Sequence, residues 1–273
     1  MSVIGIDKEK CSNCKQCIQE CGRGYFSVDK NGEVAFNEKL NTCNICGHCI
    51  AICGEDAILT KGLDDVETFP GIDSTEDIVG YDKIFKLLRA KRSIRRYKSK
   101  KVPKELLIKV FEAMRYAPSA SNMRRWRYLI LSDAEKIWEL NNEIIKSNYA
   151  YIGFQSAEQG IKYFKSTGRN IFYNAPHVIV IYYRNIEKSL TMMGMKGNDV
   201  GIALTYGMLA AEGLGLGSCW IGMLQTAIPR NLEILNVLGI KGQILGAFTL
   251  GYPAVKYRRT TPRPPLKIKG LEN

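Results

Sequence analysis

Two short runs hold eight of the nine thiols in the chain. Cys11, Cys14, Cys17 and Cys21 lie in CSNCKQCIQECG, separated by two, two and three residues, and Cys43, Cys46, Cys49 and Cys53 repeat that spacing in CNICGHCIAICG. Thiols so placed serve disulfides, zinc or an iron–sulfur centre. Disulfides suit small secreted chains that lack a core, whereas 273 residues suffice for a large apolar interior. The opening MSVIGIDKEK is charged and lacks an apolar run, so no secretory signal is expected. No uninterrupted apolar span reaches membrane length. These features point to a reducing, cytoplasmic setting. Zinc accepts two C-x₂-C pairs as a Cys₄ site, but it does not demand third and fourth cysteines at fixed offsets in both runs. Iron–sulfur chemistry does: a tight loop aims three thiolates at three corners of one cubane, and the fourth reaches a neighbouring cluster. The doubled match favours this reading. His48, between Cys46 and Cys49, is then an exposed spacer.

Each run sits in a short apolar frame: VIGID and GYFSV flank the first, EVAFN and DAILT the second. Residues 1–60 resemble a bacterial two-[4Fe-4S] ferredoxin. The resemblance implies that Cys11, Cys14 and Cys17 hold one cluster with Cys53, and that Cys43, Cys46 and Cys49 hold the other with Cys21. That family has Pro after the fourth cysteine, where this chain has Gly22 and Gly54. Glycine adds an N–H and loosens the backbone. A donor near sulfur would raise the cluster potential.

The net charge of +12 is unevenly spread: residues 1–60 carry six Lys or Arg against eight Asp or Glu, so the positive excess lies in the rest. Opposite signs favour docking of the acidic part, or of an acidic redox partner, on the basic part. The stretch KGLDDVETFPGIDSTEDIVG, residues 61–80, is acidic, contains Gly and Pro, and reads as a linker. Residues 81–273 read as one domain of mixed helix and strand. YDKIFKLLRAKR places Ile84, Leu87 and Leu88 on one helical face. PKELLIKVFEAMRYAP predicts a helix with Pro103 at its first position, Leu106, Leu107, Val110, Phe111 and Met114 along its apolar face, and Pro118 ending it. RYLILS is a strand, and Ser132 with Glu135 offers a capping box for the helix DAEKIWELNNEIIK. HVIVIYY is a dense β-branched strand. NDVGIALTYGMLAAEGLG predicts a long, central, buried helix. SCWIGM and ILGAFTLGY are strands, with the helix PRNLEILNVLG between them.

GLGLGS, Gly213 to Ser218, follows a helix and precedes a strand, the reverse of a dinucleotide loop, so it reads as a helix stop. With two histidines in the chain, histidine acid–base chemistry is not expected; His177, heading an apolar strand, reads as packed or capped. Cys219 reads as buried filler. The basic stretch from Leu87 to Lys101 has three readings: a nucleic-acid patch, a solvated helix end, or an anion grip. In the last, Arg92, Ser93 and Arg95 fork onto a phosphate or an anionic ring edge.

KRSIRRYKSKKVP, AMRYAPSASNMRRW, FYNAPHVIVIYY, LAAEGLGLGSCWIG and LGYP…RPPL, in that order over residues 82–265, resemble the nitroreductase superfamily of FMN enzymes. With the cysteine runs, the chain is similar to ferredoxin-fused nitroreductase-like proteins of anaerobic microbes. The resemblance implies an α+β fold: a small ferredoxin-like two-cluster domain (1–60), a linker (61–80) and a nitroreductase-like mixed sheet flanked by helices (81–273). It also implies flavin contacts. Arg92, Ser93 and Arg95 match the R-S-x-R segment, with Arg95 near the N1/O2 edge. Pro118, Ser119 and Asn122 match the A-P-S-x-x-N segment that reaches the flavin from the partner subunit. Trp220, Ile221 and Gly222 match the segment along the ring and its N5 edge. Arg263 matches an arginine that grips the phosphate, and Arg259 is a second candidate for that task. Arg124 and Arg125 replace the usual Gln-Pro, which bears on substrate and nicotinamide preference.

The implied protein is a homodimeric FMN oxidoreductase with no nucleophilic side chain. It takes electrons from ferredoxin or NAD(P)H and passes them in a ping-pong cycle to a small conjugated acceptor such as a nitroaromatic or quinone. The covalently attached clusters favour the ferredoxin route. Two other classes stand beside it: a redox sensor or electron store without a substrate, and a nucleic-acid binder with structural clusters. Sparse aromatics near the basic stretch count against the latter.

Overall fold

Val3, Cys17, Phe26, Val34, Cys49 and Ile58 form a small apolar core in which two of the six buried side chains are cysteines. So little apolar area stabilises a small fold weakly, and such folds are stapled by other means. The computed structural model describes residues 2–37, 42–63, 65–72 and 74–270; positions 1 and 38–41 of the ferredoxin-like stretch, 64 and 73 of the expected linker, and 271–273 lie outside the described residues. The chain forms two units. One comprises Met1–Asp77 with Ser119–Met123, the other Ile78–Pro118 with Arg124–Asn273.

In the first unit, strand β1 (Ser2–Ile6) pairs antiparallel with β4 (Ile58–Lys61), Ser2 facing Lys61. Strand β2 (Phe26–Val28) pairs with β3 (Val34–Phe36). Short helices α1 (Gln16–Glu20) and α2 (His48–Ala51) carry the third cysteine of each run, Cys17 and Cys49. A further turn of helix, α3, spans Thr75–Ile78.

The second unit is built on a four-stranded antiparallel sheet in the order β5-β6-β8-β7. The strands are β5 (Arg127–Leu131), β6 (His177–Tyr183), β7 (Gly217–Trp220) and β8 (Gln243–Gly251). Strand β6 is central, and its β-branched run is buried on both faces. Val178 and Val180 join one core with Leu140 and Ile144 of α6 (Ala134–Asn148), while Ile179 and Ile181 join the other. That second core contains Val110 and Met114 of α5 (Lys104–Arg115) and Val200 and Leu204 of α8 (Leu190–Gly213). Helix α7 (Ala157–Thr167) packs on α6, and α9 (Gly222–Ala227) and α10 (Glu233–Leu238) complete the α6 side.

Several expectations need correction. Asp133, not Ser132, caps α6, accepting from the Glu135 and Lys136 amides. The Ser132 hydroxyl instead lies 2.7 Å from His177 Nδ1. Pro103 is the cap of α5 rather than its first residue. SCWIGM is not one strand: β7 stops at Trp220 and Gly222 opens α9. The PRNLEILNVLG helix is two pieces, a 3₁₀ turn (Ile228–Arg230) and α10, because Asn231 is extended. Helix α8 begins earlier than its apolar run, capped by Ser189, and Ile202 and Tyr206 are exposed, so it is buried on one side only. Helix α4 (Tyr81–Ala90) forms as predicted, but Ile84, Leu87 and Leu88 are exposed. GLGLGS does stop a helix, with Gly215 at φ +71°.

His177 is buried, and its Nε2 accepts the Val102 amide at 3.0 Å. Burial, assisted by Lys101, holds its pKa below the ordinary 6.5. Below pH 6.5 the unfolded chain takes up a proton that the folded chain resists, so this contribution to stability is full above 6.5 and falls as the solution is acidified. The urea midpoint is expected to drop more steeply from pH 7 to 5 in the parent than in His177→Gln, which cannot titrate.

Candidate functional site

The two cysteine runs fold as copies of one loop. Asn13 and Ile45, Lys15 and Gly47, and Gly24 and Asp56 occupy matching places in the two runs, and all six have positive φ. For Ile45, a β-branched residue at φ +51°, this is a strained conformation of the kind that clusters at functional sites. The strain curls each loop so that its first three thiols turn toward one hollow. Cys11, Cys14, Cys17 and Cys53 line one hollow. Cys21, Cys43, Cys46 and Cys49 line the other. Electrostatics agrees. Burial first, then Cys11, Cys14 and Cys53, push the Cys17 thiol up. Burial first, then Cys46, Cys21 and Cys43, push Cys49 up to about 11.

Among the described residues no group of three or more His, Cys, Asp or Glu is arranged to hold a metal ion. A single ion draws all its ligands onto one point, whereas a cubane takes one thiolate at each iron and needs a wider ring. Four soft sulfurs line each hollow, a donor set that fits a cluster, while Glu55 also lines the first hollow and Glu20 and His48 the second. His48 is exposed at the start of α2. The expected role of Gly22 is corrected: its N–H goes to the Glu20 carbonyl at 3.1 Å. Sulfur receives other donors, the Tyr25 amide on Cys21 at 3.4 Å and the Ala57 amide on Cys53 at 3.3 Å.

In the second unit the loop after α4 is sewn to the sheet. Ser93 bridges Ser218, the Ile94 amide donates to the Ser218 carbonyl at 2.9 Å, and buried Ile94 packs over Gly217, where a Cβ would come within 2.4 Å of it. This fixes Arg92, Ser93 and Arg95 beside β7. Arg92 Nε and Ser218 Oγ are buried without a hydrogen-bond partner among the described residues. Buried orphans of this kind call for a ligand or water. Trp220, Ile221 and Gly222 line a pocket with Tyr151, Tyr173 and Gln225. Gln225 Oε1 accepts the Trp220 indole N–H at 3.0 Å, and Gln225 Nε2 donates to the Leu245 carbonyl, which holds the indole in place. Arg95 stands over the Tyr173 ring, 5.8 Å from its centroid. An aromatic slot with a cation at its side and orphaned donors nearby is suited to a flat, anionic, conjugated group.

The other expected contacts are placed elsewhere. Ser119 and Asn122 group with the first unit, where the Asn122 amide donates to the Asn44 and Ile45 carbonyls at 3.0 and 2.6 Å. Pro118 is exposed, as are Arg259 and Arg263, on a stretch without regular structure. Sequence reasoning missed Tyr173 and Lys91. Lys91 is half-buried; burial lowers its pKa, against the pull of Glu212. Its position, one residue before the R-S-x-R match, was the available signal. Cys219 is buried, as expected.

The model of the nitroreductase family matches residues 88–252. The chain belongs to the nitroreductase family. Membership makes it an enzyme of the oxidoreductase type. This nitroreductase-family chain is 27% identical, over 173 residues, to a Methanothermobacter thermautotrophicus protein named for NADH dehydrogenase or NAD(P)H nitroreductase activity; the match covers 63% of this chain and 78% of that one. Among solved structures it is similar to a nitroreductase with bound FMN from Bacteroides fragilis, with 26% identity and a TM-score of 0.55, covering 68% of this chain and 98% of the other. It is also similar to a nitroreductase with bound FMN from Desulfitobacterium hafniense, with 25% identity and a TM-score of 0.52, covering 66% and 93%. No described helix of this family member is long and apolar enough to cross a membrane.

Proposed function

We propose that this chain is an FMN-dependent oxidoreductase that receives electrons at two [4Fe-4S] clusters in its N-terminal domain and delivers them, through FMN, to a small conjugated acceptor of the nitroaromatic or quinone class. Clusters exchange one electron at a time and flavin one or two, so a chain with both converts single electrons into pairs. The observation that carries the reading is the pair of four-thiol hollows in the same chain as a nitroreductase-family domain.

Cys11, Cys14, Cys17 and Cys53 would hold one cluster, and Cys21, Cys43, Cys46 and Cys49 the other. Arg92, Ser93 and the orphaned Ser218 hydroxyl would bind an anionic edge of FMN. Arg95 would stabilise negative charge gathered on the reduced ring. Trp220, Ile221 and Gly222 would form the wall along it. Pro118, Ser119 and Asn122 would act across a homodimer, and Arg259 or Arg263 would reach the phosphate. Exposed apolar side chains on α4 and at Leu266 are surfaces that a second subunit would cover. The electron donor is an acidic ferredoxin-type carrier, for which the basic excess of residues 61–273 is suited. NAD(P)H, after which the Methanothermobacter relative is named, is the second candidate.

Anaerobic purification is expected to yield iron, sulfide and FMN bound to each chain. Reduced ferredoxin is then expected to bleach the flavin faster than NAD(P)H does. A colourless folded protein would end this reading; faster reduction by NAD(P)H would move the inlet away from the clusters.

A further inference from the structure

Tyr173 and Asn174 are consecutive residues with left-handed backbone, at φ +58° and +54°. Asparagine tolerates this conformation; a bulky aromatic rarely adopts it. The turn is clamped into place. Asn170 Oδ1 accepts the Phe172 and Asn174 amides, each at 3.0 Å, and Asn174 Oδ1 accepts the Asn170 amide at 3.0 Å. Asn174 Nδ2 donates to the Gly168 carbonyl at 2.7 Å. Phe172, fully buried, anchors the turn, and the Ile171 amide is tied to buried Asn141 at 3.0 Å. Such a clamp holds a strained residue only where its side chain is wanted. The side chain enters the Trp220 pocket and meets the Arg95 guanidinium over its face.

We infer that Tyr173 is a positioning residue: its side chain, through hydroxyl and ring face, holds the otherwise exposed Arg95 guanidinium at the pocket, and so governs how strongly that charge favours the reduced form of a bound flavin. This rests on the FMN reading above. Arg95 is a flexible, solvent-accessible side chain, and Tyr173 is the group that most strongly favours its charged state. The largest influence is a hydrogen bond to the Tyr173 side chain, and the ring face adds the attraction of an aromatic ring for a cation, so hydroxyl and ring act together.

The test uses full-length protein, anaerobically purified, with FMN removed and returned. Tyr173→Asn deletes the ring but suits left-handed backbone better than tyrosine, so the unfolding midpoint is expected to hold or rise. The expected result is loss of affinity for reduced FMN about tenfold greater than for oxidised FMN, the scale of a cation–π contact in a partly desolvated site. For a two-electron couple that lowers the flavin potential by about 30 mV. Tyr173→Phe, which keeps the ring face and loses the hydroxyl, is expected to lower the potential by less than Tyr173→Asn does. Arg95→Gln is expected to lower it, and adding Tyr173→Asn to Arg95→Gln is expected to change nothing further. If FMN binds but Tyr173→Asn leaves the potential unchanged, or shifts it equally with Arg95→Gln present, the inference is overturned and the FMN reading stands. If the parent binds no FMN, both fail. Should Tyr173→Asn not fold, Tyr173→His, also tolerant of left-handed backbone but with a poorer cation-binding face, is expected to lower the potential in the same direction; an unchanged potential would overturn the inference.

Discussion

Replacing Cys53 with Ala is expected to empty the hollow of Cys11, Cys14 and Cys17 rather than that of its own neighbours in sequence. Cys53 lines that hollow and acts electrostatically on Cys17, while Cys49, four residues before it, responds to Cys21. Each single variant, Cys14→Ala, Cys53→Ala or Cys21→Ala, is expected to retain about half the parent's iron and sulfide, since each disturbs one of two cubanes. Pairs decide the wiring. Cys14→Ala with Cys53→Ala should lose no more than either alone, because both strike one site; Cys14→Ala with Cys21→Ala should lose nearly all. Iron and sulfide per chain, with the electron paramagnetic resonance of the reduced protein, measure this. The reverse pattern would show that each run closes on itself.

Gly242→Ala is expected to be the most damaging small change to the sheet. Gly242 leads into β8 at φ +153°, in a region that side chains rarely occupy. A Cβ there would lie 2.0 Å from the Tyr183 carbonyl oxygen and 2.9 Å from that of Arg184. These are backbone atoms at the end of β6, so no side-chain rotation relieves the overlap. The pairing of Tyr183 with Gln243 would have to open. A cost of about 3 kcal/mol follows from the strain and the lost pairing. For a domain of this size that corresponds to roughly 6 to 12 °C in melting temperature, measurable by calorimetry. An unchanged melting temperature would refute the argument.

The sites were unequally legible in the sequence. The spacing of each run shows which three sulfurs share a loop, while the fourth member of each set, Cys53 or Cys21, was implied only by the resemblance to two-cluster ferredoxins. Strand β6 was visible because burial on both faces selects an unbroken β-branched run. Boundaries set by competition were not visible. Ser132 looks like a cap until His177, distant in sequence, claims its hydroxyl and leaves Asp133 to the amides. Ile221 looks like a continuation of strand β7, yet the strand ends at Trp220 and Gly222 opens α9. Helix α4 was legible as a helix, yet its apolar stripe says nothing of what covers it. Tyr173 was invisible for a different reason. Its placement depends on a backbone conformation imposed by Asn170 and Asn174, and residue type alone argues against that conformation for tyrosine.

Halves of a molecule that each close on themselves can be traded, lost or worn down one at a time in descent. Here Cys53 sits with Cys11, Cys14 and Cys17, and Cys21 with Cys43, Cys46 and Cys49. Under the two-cluster reading, a mutation in either copy would be felt at the site its twin lines.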